Sequence, residues 1–353
     1  MIQRLRRRVT GTTVAMWIIG LVILAGVIYG AVTSLASAQY PPKVWVDLIV
    51  FGIAQGSVYA LVALGYTMVY GILRMINFAH GEVFMAGAFI GYFIATALDK
   101  SGFLDQNFIV SEALIFLGAM TVSATIAVLL ERIAYRPLRR APRLVPLITA
   151  IGASFFLQYT FRGFFGSGIK AYPEAEQLKG TITILGINIL KTQALVIVAA
   201  IVMLIALYIF VQRTKTGRAM QAVSEDKDAA SLMGIDVDRM IVITFLIGGA
   251  LAGAAGVLFS TLFRQVFFLT GFIPGLKAFT AAVLGGIGNV AGAMVGGLFL
   301  GIAESLFPNL VLGGLGIPAP YQLKDALAFL LLVLVLIFRP TGILGERLST
   351  KKA

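Results

Sequence analysis

With 353 residues, 59% of them hydrophobic and only 12% charged, against roughly 25% charged in a soluble domain, the chain cannot cover itself with a solvated surface. A pair of soluble domains is thereby set aside in favour of one membrane domain, with room for eight or so spans of about 20 residues. The net charge of +12 sits in short clusters between apolar runs, the pattern of membrane orientation rather than of nucleic-acid binding, and the lack of cysteine rules out a disulfide framework and thiol chemistry.

Met1 to Arg8 carries four arginines, and an apolar run of 19 residues follows from Val14 to Val32. Ala36-Ser37-Ala38 has the A-x-A form of a signal-peptidase site, so a cleaved signal is one reading. The run is longer than the roughly 7–15 residues of a signal core, and we read it as a retained first span. Residues 1–44 are thus expected to be a basic segment plus an extra helix, 45–345 the main membrane domain and 346–353 a cytoplasmic tail.

Gly52 to Gly91 holds two apolar, glycine-punctuated segments that meet at a polar knot, Arg74-Met75-Ile76-Asn77-Phe78-Ala79-His80-Gly81-Glu82, with the only histidine of the protein. Small residues let membrane helices approach backbone to backbone. Four hydrogen-bonding side chains in nine residues cannot face lipid, so the knot is expected in an interface, a cavity or a pathway. His80 reads first as a residue that holds a bend by hydrogen bonding, then as a path-lining group, and least as a proton carrier.

Further apolar segments follow at 109–131, 144–164, 192–212, 241–263 and 323–338. The N-terminus, Arg74, 132–143, 213–240 and the tail hold 19 of the 28 Lys+Arg, which assigns those regions to the cytoplasmic side. Parity then requires the segment 275–306 to leave and return on the outer side, with Lys277 and Asn309 near that surface. It is too short for two crossings of about 20 residues each. A broken or re-entrant pair turning at Gly285, Gly286, Ile287, Gly288 and Asn289 satisfies both constraints, and such backbone is tolerated only inside protein or against a water-filled cavity. A faint echo between Gly81–Gly91 and Gly288–Gly297 leaves an internal repeat open.

The loop 213–240 is long for a cytoplasmic connection. Ser224 is expected to cap a short helix with Glu225 and Asp226 in its first turn, and Gly234 to end it. Ala229, Ala230, Leu232 and Met233 give that helix a small apolar face, suited either to packing on its own domain or to docking in a partner's groove.

Asp228-Ala229-Ala230 followed by Gly234 resembles the E-A-A-x-x-x-G coupling loop of ATP-binding-cassette importer permeases, with Asp in place of Glu. Gly65-Tyr-Thr-Met-Val-Tyr-Gly71, Ile76-Asn-Phe-Ala-His-Gly81, Tyr135-Arg-Pro-Leu138 and Thr216-Gly-Arg-Ala-Met220 resemble the H-type permease subunit of branched-chain amino-acid importers. The likeness covers about 45–345; the segment 1–44 departs from it. It implies an all-α polytopic membrane protein of the importer-permease fold, with about eight spans plus the broken pair. It also implies a non-enzymatic half of a path in the cytoplasmic membrane, both termini inside. The partners implied are an M-type permease, two ATPase subunits, an extracytoplasmic binding protein and membrane lipid, with no nucleic acid, no metal and no cofactor beyond the ATP used by the partners. In accord with this, no G-x-x-x-x-G-K-[ST] loop is found; Gly271 to Lys277 lacks its spacing and hydroxyl residue.

On this reading Gln55, Asn77, His80, Gly81, Glu82, Gly285, Gly286, Gly288 and Asn289 are expected in the path wall. Gly217, Arg218, Asp228, Ala229, Ala230 and Gly234 are expected in the coupling loop. Sister systems for urea or short amides have similar permeases. A stand-alone secondary transporter could use Gln55, Asn77, His80 and Glu82 as a relay, but would need no docking loop. An intramembrane enzyme finds no Ser/His/Asp set at one depth.

Overall fold

A computed structural model describes residues 11–345 except 39, 140, 143, 185, 319 and 340; the arginine cluster of the first ten residues, Arg140, Arg143 and the tail 346–353 lie outside the described residues. Helices dominate, because backbone inside a bilayer must satisfy its own hydrogen bonds. In chain order they are α1 (Gly11–Ala36), α2 (Pro42–Leu73), α3 (His80–Lys100), the short α4 (Phe103–Gln106), α5 (Phe108–Leu130), α6 (Leu144–Phe165), α7 (Lys191–Arg213), α8 (Lys215–Glu225), α9 (Lys227–Leu232), α10 (Val237–Phe263), α11 (Phe272–Gly285), α12 (Val290–Phe307) and α13 (Lys324–Phe338). Among the described residues nine helices are long and apolar enough to cross a membrane. Eight are the expected spans and the ninth is α12; α11 is too short to be a tenth.

The centre of the bundle is α2, α3, α10 and α12, held together by glycine contacts. Gly56 of α2 lies so close to α12 that a Cβ there would come within 2.9 Å of the Gly297 carbonyl oxygen. Gly87 of α3 packs on Gly253 of α10 in the same manner. Lipid offers no hydrophobic reward for helix association, so van der Waals contact at this closeness supplies much of the cohesion. Around the centre stand α1, α6, α7 and α13, whose outward faces carry large exposed apolar side chains such as Trp17, Phe156, Val198 and Val333. Helix α1 touches the bundle mainly through Gly30, which rests on Val311 and Gly314 beyond α12. It flanks the core.

Arginines from the end of α2 and from beyond α5 gather at one face of the bundle, the basic face. Arg74, at the end of α2, donates to the Ser224 carbonyl at 3.0 Å, and Arg136 and Arg139, beyond α5, pair with Asp238 at the start of α10. The opposite face carries two small antiparallel ribbons, β1 (Lys170–Ala171) with β4 (Gln265–Val266) and β2 (Thr181–Ile184) with β3 (Ile187–Leu190).

Helices α2 and α12 are antiparallel: Gly52 meets Gly301 and Ser305, whereas Ala60 meets Gly297. Helix α12 therefore starts at the basic face, and α11, antiparallel to it through Gly285–Gly292 and Ala281–Gly296, ends there. The turn falls at Gly285–Asn289, as the sequence suggests. Gly286 and Gly288 adopt φ of 109° and 100°, values that favour glycine. The pair is unequal: α12 runs on through a π-turn, Pro308–Leu312, to a full-length crossing. Helix α11 begins inside the bundle, with Gly271 and Gly275 against Gly81.

Two expectations need correction. Lys277 does not lie at the surface; its side chain is 4% exposed, because Glu304 and Asp325 hold it inside. Ser224 does not cap a helix; it sits in the last turn of α8 and donates to the Gln221 carbonyl. The caps are Thr214 for α8 and Asp226 for α9, whose carboxylate accepts from the amides of Asp228 and Ala229 at 2.9 and 3.0 Å. Buried Met220 and Val223 carry α8 through Ser224, and an ionised cap is the stronger acceptor.

Candidate functional site

The polar knot is built by a fold-back. Helix α2 ends at Arg74, which adopts the left-handed conformation (φ 54°) and donates its amide to the Tyr70 carbonyl. The chain then doubles under the helix so that His80, the first residue of α3, lies against Gly65 and edge-on to Tyr66, with ring centroids 4.9 Å apart. Asn77 accepts a hydrogen bond from the Tyr135 hydroxyl at 2.5 Å. Both side chains are buried and brace the fold-back.

Glu82 is different. One turn into α3, and 1% exposed, it turns toward α6. Its Oε1 accepts from Gln158 Nε2 at 2.7 Å and Ser154 Oγ at 3.1 Å, two residues one helical turn apart. Its Oε2 has no hydrogen-bond partner. Among the described residues no lysine, arginine or histidine stands within ion-pair distance of it. A cavity of about 250 Å³ opens beside it, lined by Tyr66, Phe78, Gly81, Glu82, Ile151, Ser154, Phe155, Gly271, Phe272, Gly275 and Leu276. That is just below the roughly 300–1,000 Å³ of typical small-molecule sites, which share its apolar walls and few polar groups.

The residues expected in a path wall are thus divided. Gly81 and Glu82 line the cavity, while Asn77 and His80 pack behind it. Gly285, Gly286, Gly288 and Asn289 lie at the far end of α11, under the segment 341–345. There Ile343 and Leu344 donate to the carbonyls of Leu284 and Gly285 at 2.8 and 3.0 Å, and Asn289 donates to the Leu344 carbonyl at 2.9 Å. Gln55 belongs to another cluster. It donates to the Tyr59 hydroxyl at 2.7 Å, Tyr59 donates to Glu304 at 3.0 Å, and Lys277 bridges Glu304 to Asp325. Sequence reasoning missed Ser154, Gln158, Lys277, Glu304 and Asp325.

On the basic face, Gly217 packs so tightly on the backbone of Phe210 and Val211 that no Cβ fits. Arg218 is exposed. The apolar face expected on α9 splits in two: Ala230 turns into the protein, whereas Ala229, Leu232 and Met233 face outward, Leu232 at 89% exposure and Met233 at 83%. Asp228 is exposed beside them, and Gly234, at φ 82°, closes the element. Burial, with positive Arg139 and Arg74 nearby, lowers the pKa of Lys227 below the usual lysine range.

A glycine-packed bundle of spanning helices, an apolar cavity inside it and a short helix offering bare apolar side chains beyond the basic face define a multi-pass membrane transport subunit. Residues 48–336 match the family model described as the branched-chain amino acid transport system / permease component. The chain belongs to that family, and α1 precedes the matched region. It is 44% identical over 298 residues to the high-affinity branched-chain amino acid transport system permease protein LivH of Escherichia coli (strain K12), covering 84% of this chain and 94% of that protein. The protein of the same description from Salmonella typhimurium is 43% identical with the same coverage. The high-affinity branched-chain amino acid transport system permease protein BraD of Pseudomonas aeruginosa is 44% identical over 305 residues, 86% of this chain and 96% of that one. No solved structure matches. As a member of this family the chain is a transport component, not an enzyme.

Proposed function

We propose that the protein forms half of the translocation path of an ATP-driven importer for branched-chain or other aliphatic amino acids. It would sit in the cytoplasmic membrane with its basic face, and both termini, inside. A related permease completes the path, two ATPase subunits drive it, and an extracytoplasmic binding protein delivers the substrate; the chain needs no cofactor of its own. The observation that carries this reading is the pair Leu232 and Met233, two large apolar side chains left almost bare on a loop otherwise polar. Contiguous exposed apolar groups outside the bilayer mark a docking surface, and a short helix presenting them suits a groove on a partner. Ala229 and Asp228 border that surface, while Gly217, Ala230 and Gly234 shape it from behind. Branched-chain amino acid transport, the function of the relatives' systems, and the apolar walls of the cavity support the substrate class.

The test is reconstitution of the four-component system in vesicles. ATP- and binding-protein-dependent uptake of leucine, isoleucine or valine is expected. Substituting Leu232→Ser together with Met233→Ser should leave the fold within about 0.5 kcal/mol, as for exposed sites in general, yet abolish ATPase stimulation by the loaded binding protein. Uptake by this chain alone, or undiminished coupling in the double variant, would overturn the reading.

A further inference from the structure

We infer that Glu82 and the start of α11 form a two-point recognition site for the ammonium and carboxylate of one aliphatic α-amino acid. This rests on the reading that the cavity belongs to an amino-acid path. Three observations converge on it.

First, the carboxylate of Glu82 is buried with one oxygen unpartnered and, among the described residues, no cation within ion-pair distance. Gln158 and Ser154 are neutral donors and saturate only Oε1. The first turn of α3 adds its partial positive charge. A buried charge left this far short of compensation is costly, and a ligand's ammonium is the group that completes it through a charge-assisted hydrogen bond.

Second, the cavity is bounded by the start of a half-length helix. Gly271, Phe272, Gly275 and Leu276 all line it, and α11 starts at Phe272, inside the bundle rather than at a membrane face. The N-terminus of a helix that begins at membrane depth presents a partial positive charge to an anionic group. Here the amides of Phe272 and Gly275 already bond the Leu269 and Gly271 carbonyls and Pro274 has none, so the helix dipole rather than a set of free amides makes the attraction.

Third, the two points are neighbours. Oε2 of Glu82 is 3.0 Å from where a Cβ on Gly271 would lie. An α-amino acid carries its ammonium and carboxylate on one carbon, so it can reach both together, whereas a molecule with widely separated charges cannot. Phe78, Ile151, Phe155 and Leu276 then meet the side chain, and none of them offers a polar group to hydrogen-bond one. Urea and simple amides carry neither charge and gain nothing from the pair. Glycine at 81, 271 and 275 lets the start of α11 lie directly against α3, which holds the two points together, since any side chain at these positions would press on the opposing backbone.

The experiment uses the assembled permease–ATPase complex in vesicles with its binding protein. Glu82→Gln preserves shape and can still bond Ser154 and Gln158. It should lower leucine uptake about tenfold or more, the loss expected for one charge-assisted hydrogen bond, while leucine binding to the binding protein and its stimulation of ATP hydrolysis persist. A second measurement needs no variant. Dicyclohexylcarbodiimide, a lipid-soluble carboxyl reagent, should modify Glu82 of the wild-type complex. Leucine should protect it, whereas 4-methylpentanoate, which lacks the ammonium, and isobutyramide should not. Full uptake by Glu82→Gln, or equal protection by leucine and 4-methylpentanoate, would overturn the site. If the wild-type complex imports amides and no amino acid, the reading of the function falls, and the site with it. Amino-acid uptake that is indifferent to Glu82 removes the site alone.

Discussion

Two of the buried clusters of charge in this bundle are finished to different degrees. In one, Lys277 of α11 ties Glu304 of α12 to Asp325 of α13, and Tyr59 and Gln55 of α2 complete the bonding of Glu304. Each charge there meets an opposite charge supplied by the chain. In the other, Glu82 meets two neutral donors and an apolar cavity. Both groups of residues would be rejected by lipid, so both must be enclosed. The first is closed on itself and joins four helices. The second is left open toward a space large enough for a small molecule. Within one membrane protein, a completed charge network is a fold device, and an incomplete one beside a cavity is where a ligand finds its complement.

The closed cluster is where substitution should do the most damage. Lys277→Met leaves Glu304 buried without its counter-charge, a change that costs about 3–5 kcal/mol when a buried pair is broken from one side. Thermal unfolding of the detergent-solubilised complex should register this as a marked loss of stability, with reduced yield from membranes. A stability equal to wild type would mean that Lys277 is not the tie between α11 and its neighbours. The half-exposed contact with Asp325 adds little.

Removing both charges should be gentler than removing one. Lys277→Met combined with Glu304→Met exchanges a buried ion pair for packed apolar groups, which is often neutral or even stabilising. Recovery of at least half the stability lost by the single variant is expected, with uptake retained. Were the double variant as unstable as the single one, the cluster would be held by more than its charge pairing. At the open cluster the corresponding removal, Glu82→Gln, is expected to cost transport rather than stability.

Much of this architecture is legible in the sequence. The apolar segments at 144–164, 192–212 and 323–338 correspond to helices Leu144–Phe165, Lys191–Arg213 and Lys324–Phe338, because hydropathy over a membrane-length window is the signal the bilayer itself reads. The turn at Gly285–Asn289 was also legible, from the parity of charges on either side. The caps in 213–240 were not, since Thr214, Ser224 and Asp226 can all cap and only the packing of Met220 and Val223 decides among them. The partners of the buried charges were hidden for a different reason: they are remote in the chain. Still, Lys277 and Glu304 lie on opposite arms of the turn, and a hairpin folded there sets Glu304 about one helical turn beyond the position facing Lys277, within reach of the long lysine side chain. Ser154 and Gln158 lie at i and i+4 within an apolar helix, hence on one face. These were usable signals. Asp325 had none, as nothing local says that α13 returns beside α11.

The sharpest comparison uses two glutamines, one in each cluster. Gln55 and Gln158 are both 2% exposed, and each donates through Nε2 at 2.7 Å to its cluster's key oxygen, the Tyr59 hydroxyl in one case and the Glu82 carboxylate in the other. Replacing each by leucine removes similar volume and similar bonding, so each should lower stability by about 1–3 kcal/mol. Their effects on transport should diverge. After Gln55→Leu, Tyr59 still donates to Glu304 and Lys277 still pairs with it; the cluster remains closed and uptake should stay within about twofold of wild type. After Gln158→Leu, Glu82 loses its shorter hydrogen bond and only Ser154 holds it. Its carboxylate is then free to turn from the orientation that leaves Oε2 toward α11, and misplacing a recognition group costs binding even when its charge is intact. The apparent KM of uptake should rise several-fold while assembly and ATPase stimulation persist, and Gln158→Asn should not rescue it, because the shorter amide cannot reach. Equal effects of Gln55→Leu and Gln158→Leu on KM would erase the distinction between a closed and an open cluster, and Glu82 would then be one more brace of the fold-back at the start of α3.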